Sequence, residues 1–421
     1  MLVFYFLMAL AIWQGVRSVI GGGRFLAHVR RETGRRAEGY APYASVIVPC
    51  RGLDQNLRDN LRALFCQDYP QYELIFVADD ANDPALTVVR ALQDELRDGE
   101  TVDRALRPAI QNVPCRVRLL IAGPARDRGQ KVHNLSFAVR EADPASEVLV
   151  FVDTDARPHA GWLRALVAPL ADETVGAATG YRWFLPVRGG LASHLRSVWN
   201  ASIASALGPD GKRNFCWGGS TAIRRVTFDR ARVMAHWRGA LSDDFALTRA
   251  LQNEGLRIHF VPDCLLPSHE DCSWGELLEF TTRQLKITRV YAPHLWRLAL
   301  IGNALFALAF WGGMALSIAR ASALDACLVV SVFALGALKA WIRLYAVLIP
   351  LARLRDEIGK TAWAHLLLWP IASVLFLYNT LLAAWSRRLT WRGIEYELKS
   401  PTETVIIGEN GCAQRDALLS R

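Results

Sequence analysis

Apolar residues gather at the two ends of the chain, and between them short hydrophobic runs alternate with amphipathic ones. Leu2 to Ile20 holds one Gln, one Arg and no acid, long enough for a membrane anchor. It lacks a basic leading region and a small-residue cleavage site, so residues 1–20 read as an uncleaved anchor rather than a signal peptide. From Tyr43 the pattern becomes that of a globular domain. Ser45–Pro49 predicts a strand, and Asp54–Phe65 a helix with Leu57, Leu61, Leu64 and Phe65 on one face. Glu73–Ala78 predicts a second strand ending in Asp79-Asp80, and Pro84–Asp98 a second helix. A strand at Val117–Ile121, a loop over Gly123–Lys131 and a helix over Asn134–Arg140 follow. A buried strand, Leu149–Val152, then stops at Asp153-Thr154-Asp155. This alternation predicts an α/β fold with a doubly wound, mostly parallel sheet.

The later half is less regular. Gly189–Leu207 is amphipathic, 217–223 reads as a turn into a strand, and Ser242 is placed to cap a helix running through Leu251. Residues 276–291 predict a helix bearing Arg283, Lys286 and Arg289. Beyond Pro293, candidate spans are 298–318, 324–338 (extendable to 349) and 363–385, the last broken at Pro370. The resulting plan is an anchor at 1–20, an α/β domain at 41–270, an interfacial helix at 271–295, a transmembrane region at 296–386 and a tail at 387–421. One anchor plus three full spans would leave Arg387, Arg388 and Arg392 on the side opposite the basic residues after the anchor. A re-entrant element around Pro370 would restore agreement, and the pattern leaves both topologies open.

Composition sharpens this picture. The 421 residues are 52% hydrophobic with 14 Trp and a net charge of +9. The basic excess clusters at Arg17, Arg24, Arg30, Arg31, Arg35 and Arg36, which suits a cytoplasmic juxtamembrane segment. No aromatic-basic platform or basic recognition helix points to nucleic acid. The eight cysteines are scattered without a C-x-x-C, which argues against a thiolate zinc site or a disulfide framework and for reduced thiols. His133, His259 and His269 lack the paired spacing of metal ligands.

The candidate chemistry sits at strand ends. Open α/β sheets bind ligands beyond the carboxyl ends of their strands. Asp153 and Asp155 repel each other unless a cation intervenes, and a hard divalent ion such as Mg²⁺ or Mn²⁺ suits carboxylates and phosphates. Lys131 follows Gly129-Gln130 and could reach a diphosphate as a point charge. Arg283 and Lys286 share a helix face, where an anion would relieve their repulsion, although Glu279 offers Arg283 a structural partner. The plainer reading of Asp80 is a cap on the turn after its strand, and Asp243 or Asp244 could merely offset a helix dipole.

The series Asp80, Asp153/Asp155, Asp244 and Arg283/Lys286 resembles that of membrane-bound family-2 glycosyltransferases. Cys50-Arg51-Gly52-Leu53-Asp54-Gln55-Asn56-Leu57, Gln67-Asp68-Tyr69-Pro70-Gln71-Tyr72-Glu73, Asp80 followed by Asn82-Asp83-Pro84-Ala85, and Gln130-Lys131-Val132-His133-Asn134-Leu135 resemble the ceramide glucosyltransferase branch. The resemblance covers about residues 43–295, with similar flanking membrane segments and a Trp391-Arg392-Gly393 tail. It implies a GT-A-like nucleotide-sugar-binding domain, with a UDP-sugar as donor and Mg²⁺ or Mn²⁺ on Asp153 and Asp155. Asp80, Lys131, Asp153, Arg283 and Lys286 would bind the donor nucleotide, Asp80 contacting the nucleotide and Lys131, Arg283 and Lys286 its diphosphate, and Asp244 would be the general base. The implied reaction is inverting transfer of a hexose, glucose foremost, to the hydroxyl of a ceramide-type membrane lipid. The enzyme would be integral to the cell inner membrane with its catalytic domain cytoplasmic. Alternatives are N-acetylglucosamine or galactose as donor sugar, a hopanoid or diacylglycerol as acceptor, and a catalytically silent scaffold. Positions 286 and 287 depart from the family pattern, with Lys for its second Arg and Ile for its Trp, which bears on acceptor identity.

Overall fold

The structure, a computed structural model, describes residues 2–35, 39–98 and 115–409. The chain divides into a helical unit (Met1–Gly34, Trp183–Asp210, His269–Ser386) and a sheet unit (Arg35–Arg182, Gly211–Ser268, Arg387–Arg421).

The sheet unit is built on seven strands in the order β3-β2-β1-β4-β6-β5-β7. Strands β1 (Ala44–Pro49), β2 (Tyr72–Ala78), β3 (Cys115–Ile121) and β4 (Val148–Phe151) run parallel. Every residue of β2 and β4 is buried, as expected of strands covered on both faces. Beyond β4 the sheet turns mixed. Strand β5 (Val175–Leu185) is antiparallel to β6 (Thr221–Arg224), and β6 is antiparallel to β4. Strand β7 (Arg257–His269) lies beside β5 at the edge. The mostly parallel sheet with flanking helices matches the sequence expectation. Strands β5 and β7 were not anticipated, because Gly176 and Gly180 dilute the first and Pro262, Asp263 and Pro267 interrupt the second.

Registry defines where a ligand can sit. Pro49 of β1 pairs with Val77 of β2, and Ile47 with Phe151 of β4, so the loops after these strands leave one edge together. Successive strands run outward from β1 to β3, whereas β4 joins on β1's other side. The order reverses between β1 and β4, and ligands of open α/β sheets bind at such a reversal. Behind that edge, Phe151 packs against Trp237 and Phe228 at ring separations of 5.5 and 6.3 Å.

In the helical unit, Leu2–Glu32, Pro293–Arg320 and Ala323–Val347 are long and apolar enough to cross a membrane. Ala352–Leu367 and Trp369–Trp385, bent by 69°, make a fourth if counted as one span. Met8 and Ala11 pack with Phe306, Phe310, Val329 and Val332, and Leu195 and Val198 with Leu277, Leu368 and Ala372. The first helix continues through Glu32 instead of stopping near Ile20, so Arg17, Arg24, Arg30 and Arg31 lie on it. Arg36 falls outside the described residues. Pro370 sits in the first turn of Trp369–Trp385, where its missing N–H costs nothing, and the break is Leu368.

The stretch expected to be a tail is folded as far as residue 409. Strands β8 (Arg388–Trp391), β9 (Ile394–Ser400) and β10 (Glu403–Glu409) form an antiparallel sheet in the sheet unit. The signal was present: Ile394, Tyr396 and Leu398 are buried and alternate with Glu395, Glu397 and Lys399. Residues 410–421 lie outside the described residues.

Candidate active site

Lys131 is the hub of the charged cluster at the sheet edge. It lies in the first turn of the helix Gln130–Glu141, not in the preceding loop as its sequence context suggested. The Gln130 side chain pins that turn, accepting from the Ala125 amide (2.8 Å) and donating to the Gly123 carbonyl (2.9 Å) and Asn134 (2.8 Å). The Gly129 amide donates to the Ala240 carbonyl at 2.9 Å, holding the helix start against the loop before Asp243. Lys131 Nζ thereby reaches Asp153 Oδ1 at 2.7 Å and Asp243 Oδ1 at 3.3 Å. Burial disfavours its charge, but Asp153, Asp243 and Asp244 outweigh that and push its pKa above the ordinary lysine range.

Two guanidinium groups complete the cluster, and sequence reasoning assigned neither. Arg182 Nη2 lies 3.0 Å from Asp155 and 4.0 Å from Asp153, and its guanidinium stacks 5.0 Å from the Trp217 ring centre. Arg392 Nη1 lies 2.7 Å from Asp54, which also accepts from the Thr154 hydroxyl at 2.5 Å. Burial would raise the Asp155 pKa, yet Arg182 and Arg392 hold it below the usual carboxylate range. The expected clash between Asp153 and Asp155 is thus relieved in this state by the protein's own cations.

Ser242 caps the helix Asp243–Asn253 as expected, accepting from the Phe245 amide at 3.3 Å. The two acids behind it differ. Asp243 is buried, and its pKa is raised to about 7 by burial and by Asp244 and Asp153, against the opposing pull of Lys131. Asp244 is half-buried, and its Oδ1 accepts from the Ser242 hydroxyl and from the Phe245 amide (2.7 Å).

The turn Trp217-Gly218-Gly219-Ser220 enters this cluster because Thr221 of β6 pairs with Phe151 of β4. A Cβ at Gly218 would lie 2.4 Å from Asp243 Oδ2 and 2.6 Å from Lys131 Nζ, so an added methyl would have to push the ends of this ion pair aside. Gly218→Ala is expected to lower stability by about 1–2 kcal/mol through overpacking. Thermal unfolding of the full chain checks this, and an unchanged melting point would mean the pair tolerates separation.

The remaining candidates are placed differently. Asp80 is exposed, and its side chain accepts from the Asn82 amide at 2.8 Å, the turn-capping role open to it from sequence. Arg283 pairs with Glu279 at 3.2 Å, and both Arg283 and Lys286 belong to the helical unit. His133 bonds the Ala122 carbonyl (3.0 Å), and His269 pairs with Glu357 (2.9 Å). Cys50, Cys66, Cys216 and Cys264 are buried free thiols. Cys412 lies outside the described residues. Among the described residues no group of three or more His, Cys, Asp or Glu is arranged to hold a metal ion. Asp153 and Asp155 are hard oxygen donors, suited to a cation that takes its other ligands from phosphate and water.

A family model described as Glycosyl transferase family 21 matches residues 7–404, and the chain belongs to that family. It is 22% identical over 260 residues to ceramide glucosyltransferase 3 of Caenorhabditis elegans, covering 60% of this chain and 52% of that protein. It is 30% identical over 140 residues to a ceramide glucosyltransferase of Gibberella zeae, covering 33% of this chain and 25% of that protein. The chain thus spans about half the length, or less, of these curated relatives. Among solved structures, mannosyltransferase PcManGT of Pyrobaculum calidifontis, in complex with GDP-Man and Mn2+, is similar at a TM-score of 0.45 and 18% identity, covering 90% of this chain and 99% of that one.

Proposed function

We propose that the protein is an integral membrane glycosyltransferase that transfers a hexose from a UDP-sugar, glucose foremost, to the hydroxyl of a ceramide-type lipid with inversion. The observation that carries this reading is the Lys131 bridge from Asp153, at the end of β4, to Asp243, beside Asp244. One lysine joins the acids suited to the donor's metal and diphosphate to the acids suited to activating an acceptor. Membership of glycosyl transferase family 21 supports the reaction class, and the ceramide glucosyltransferase relatives support the lipid acceptor. The apolar helices explain how a water-insoluble acceptor would be reached.

In this reading Asp153 and Asp155 would hold Mg²⁺ or Mn²⁺, whose positive charge would be supplied next to the phosphates of UDP. Asp80 contacts the nucleotide. Lys131 supplies fixed positive charge to the diphosphate. Asp244 Oδ2 removes the acceptor's proton as its oxygen bonds to the sugar carbon. The basic residues of the first helix favour a cytoplasmic sheet unit at the inner membrane. The test supplies purified full chain with Mn²⁺, radiolabelled UDP-glucose, UDP-galactose or UDP-N-acetylglucosamine, and a total lipid extract, and identifies product by mass. A hexosylceramide is the expected result. A different glycolipid would reassign donor or acceptor, and no transfer from any UDP-sugar would overturn the reading.

A further inference from the structure

We propose that Arg392, carried on the C-terminal sheet, is a diphosphate-binding residue of the donor site; this rests on the nucleotide-sugar reading above. Arg392 and Gly393 form the two-residue turn between β8 and β9, since Trp391 pairs with Ile394. Both have positive φ, 51° and 80°. Turns of this kind favour Asn-Gly, because at positive φ a Cβ crowds the backbone and Asn offsets that cost by bonding the local backbone, which arginine does not. An arginine in the first position is therefore unexplained by the turn itself and calls for a role of its guanidinium.

The surroundings supply that role. The Arg392 guanidinium bonds Asp54, and its charge is reinforced by Asp54, Asp155 and Asp153 against the cost of burial. The backbone is clamped as well: Arg51 Nε donates to the Arg392 carbonyl at 3.0 Å, and Arg51 also pairs with Asp79 at the end of β2. The rest of the C-terminal sheet is docked beside the other site segments. The Gln130 amide, adjacent to Lys131, donates to the Tyr396 hydroxyl at 3.2 Å. The Thr404 hydroxyl donates to the Gly239 carbonyl at 2.7 Å, in the loop leading to Asp243. The sheet thus touches the loop after β1, the start of the Lys131 helix and the approach to Asp243.

The cluster of Asp153, Asp155 and Asp243 would repel a diphosphate unless cations face it. Lys131 is held between two acids, and Arg182 is held by Asp155 and stacked on Trp217. Arg392 is half-buried on a hairpin tip, and its planar fork matches two phosphate oxygens. Were Asp153 and Asp155 to hold a divalent cation, less of their charge would fall on Arg392, and its guanidinium would be available to phosphate oxygens.

The test uses the full chain in detergent with MnCl₂. UDP binding is followed by calorimetry and uridine binding by saturation-transfer NMR. Arg392→Ala is expected to weaken UDP binding about 10- to 100-fold and leave uridine binding unchanged. Arg392→Lys recovers only part of the loss because it cannot bond in a fork. Asp54→Asn keeps UDP affinity within about threefold, since it frees the guanidinium from its resting partner. Equal UDP affinity in wild type and R392A overturns the role of Arg392 and leaves the nucleotide-sugar reading standing. Equal loss for uridine and UDP, or D54N behaving as R392A, makes the residue a structural clamp and also overturns it. If R392A fails to fold, R392K and D54N carry the same comparison. A wild-type protein that fails to bind UDP overturns both readings.

Discussion

Asp244→Asn is expected to lower kcat about 100- to 10,000-fold, the usual worth of a positioned general base, while UDP affinity stays within about threefold. Asparagine is isosteric, and its oxygen can still accept from the Ser242 hydroxyl and the Phe245 amide, the bonds that now fall on Oδ1. The helix start therefore survives, and a fall in kcat reports lost proton transfer rather than lost folding. UDP calorimetry alongside turnover separates the two.

Asp243 is the rival, and its chemistry makes the contrast sharp. A carboxyl with a pKa near 7 has the basicity a base needs. Yet Asp243 is buried and bonded to Lys131, so its charge is committed to holding the cluster. Its raised pKa means it is protonated below about 7 and ionised above, so the pair with Lys131 is complete only on the alkaline side. Asp243→Asn should therefore flatten the pH dependence of kcat/KM near 7 and weaken UDP binding, while retaining more turnover than Asp244→Asn. The opposite outcome, turnover abolished in D243N and kept in D244N, would exchange the two roles.

What the sequence revealed follows from how local each signal is. Buried strands ending in acids, the Ser242 cap and the apolar helices are encoded in contiguous residues, and the structure contains them. Lys131, Asp153 and Asp243 were each visible as charged residues at the end of an element. Their convergence depends on β6 returning antiparallel to β4, a long-range pairing that no local pattern announces. Arg182 and Arg392 were missed for related reasons. Arg182 lies inside β5, a strand with a weak pattern, and Arg392 sits about 150 positions or more from every other residue of the cluster. The alternation at 394–399 was legible as a strand, but which edge it would join was not. The helical unit shows the reverse case: Pro370 looked like a break, whereas its place in a helix's first turn moves the bend to Leu368.

Lys131→Met should destabilise the full chain by about 3 kcal/mol at neutral pH and remove measurable UDP binding. Taking one partner out of a largely buried ion pair leaves the other charge without compensation. Here two carboxylates lose theirs at once, Asp153 and Asp243, with Asp244 adjacent. Methionine has nearly the same length, so packing around the stem is kept and the loss is electrostatic. The pH dependence identifies the cause. Lys131 now pulls the Asp243 pKa down, so its removal raises that pKa further above 7. A carboxyl whose folded pKa exceeds its unfolded value contributes stability that is full below the unfolded pKa and is lost as pH rises through the folded one. At about pH 5.5 Asp243 is protonated in both proteins; at about pH 8 wild-type Asp243 is ionised and paired, whereas the variant must hold it protonated against the solvent, at a cost in stability. The difference in melting temperature from wild type should therefore be small at the lower pH and largest at the higher. A gap that stays constant between the two would show that Lys131 does not hold the Asp243 charge, and with it would fall the bridge on which the donor and acceptor acids depend.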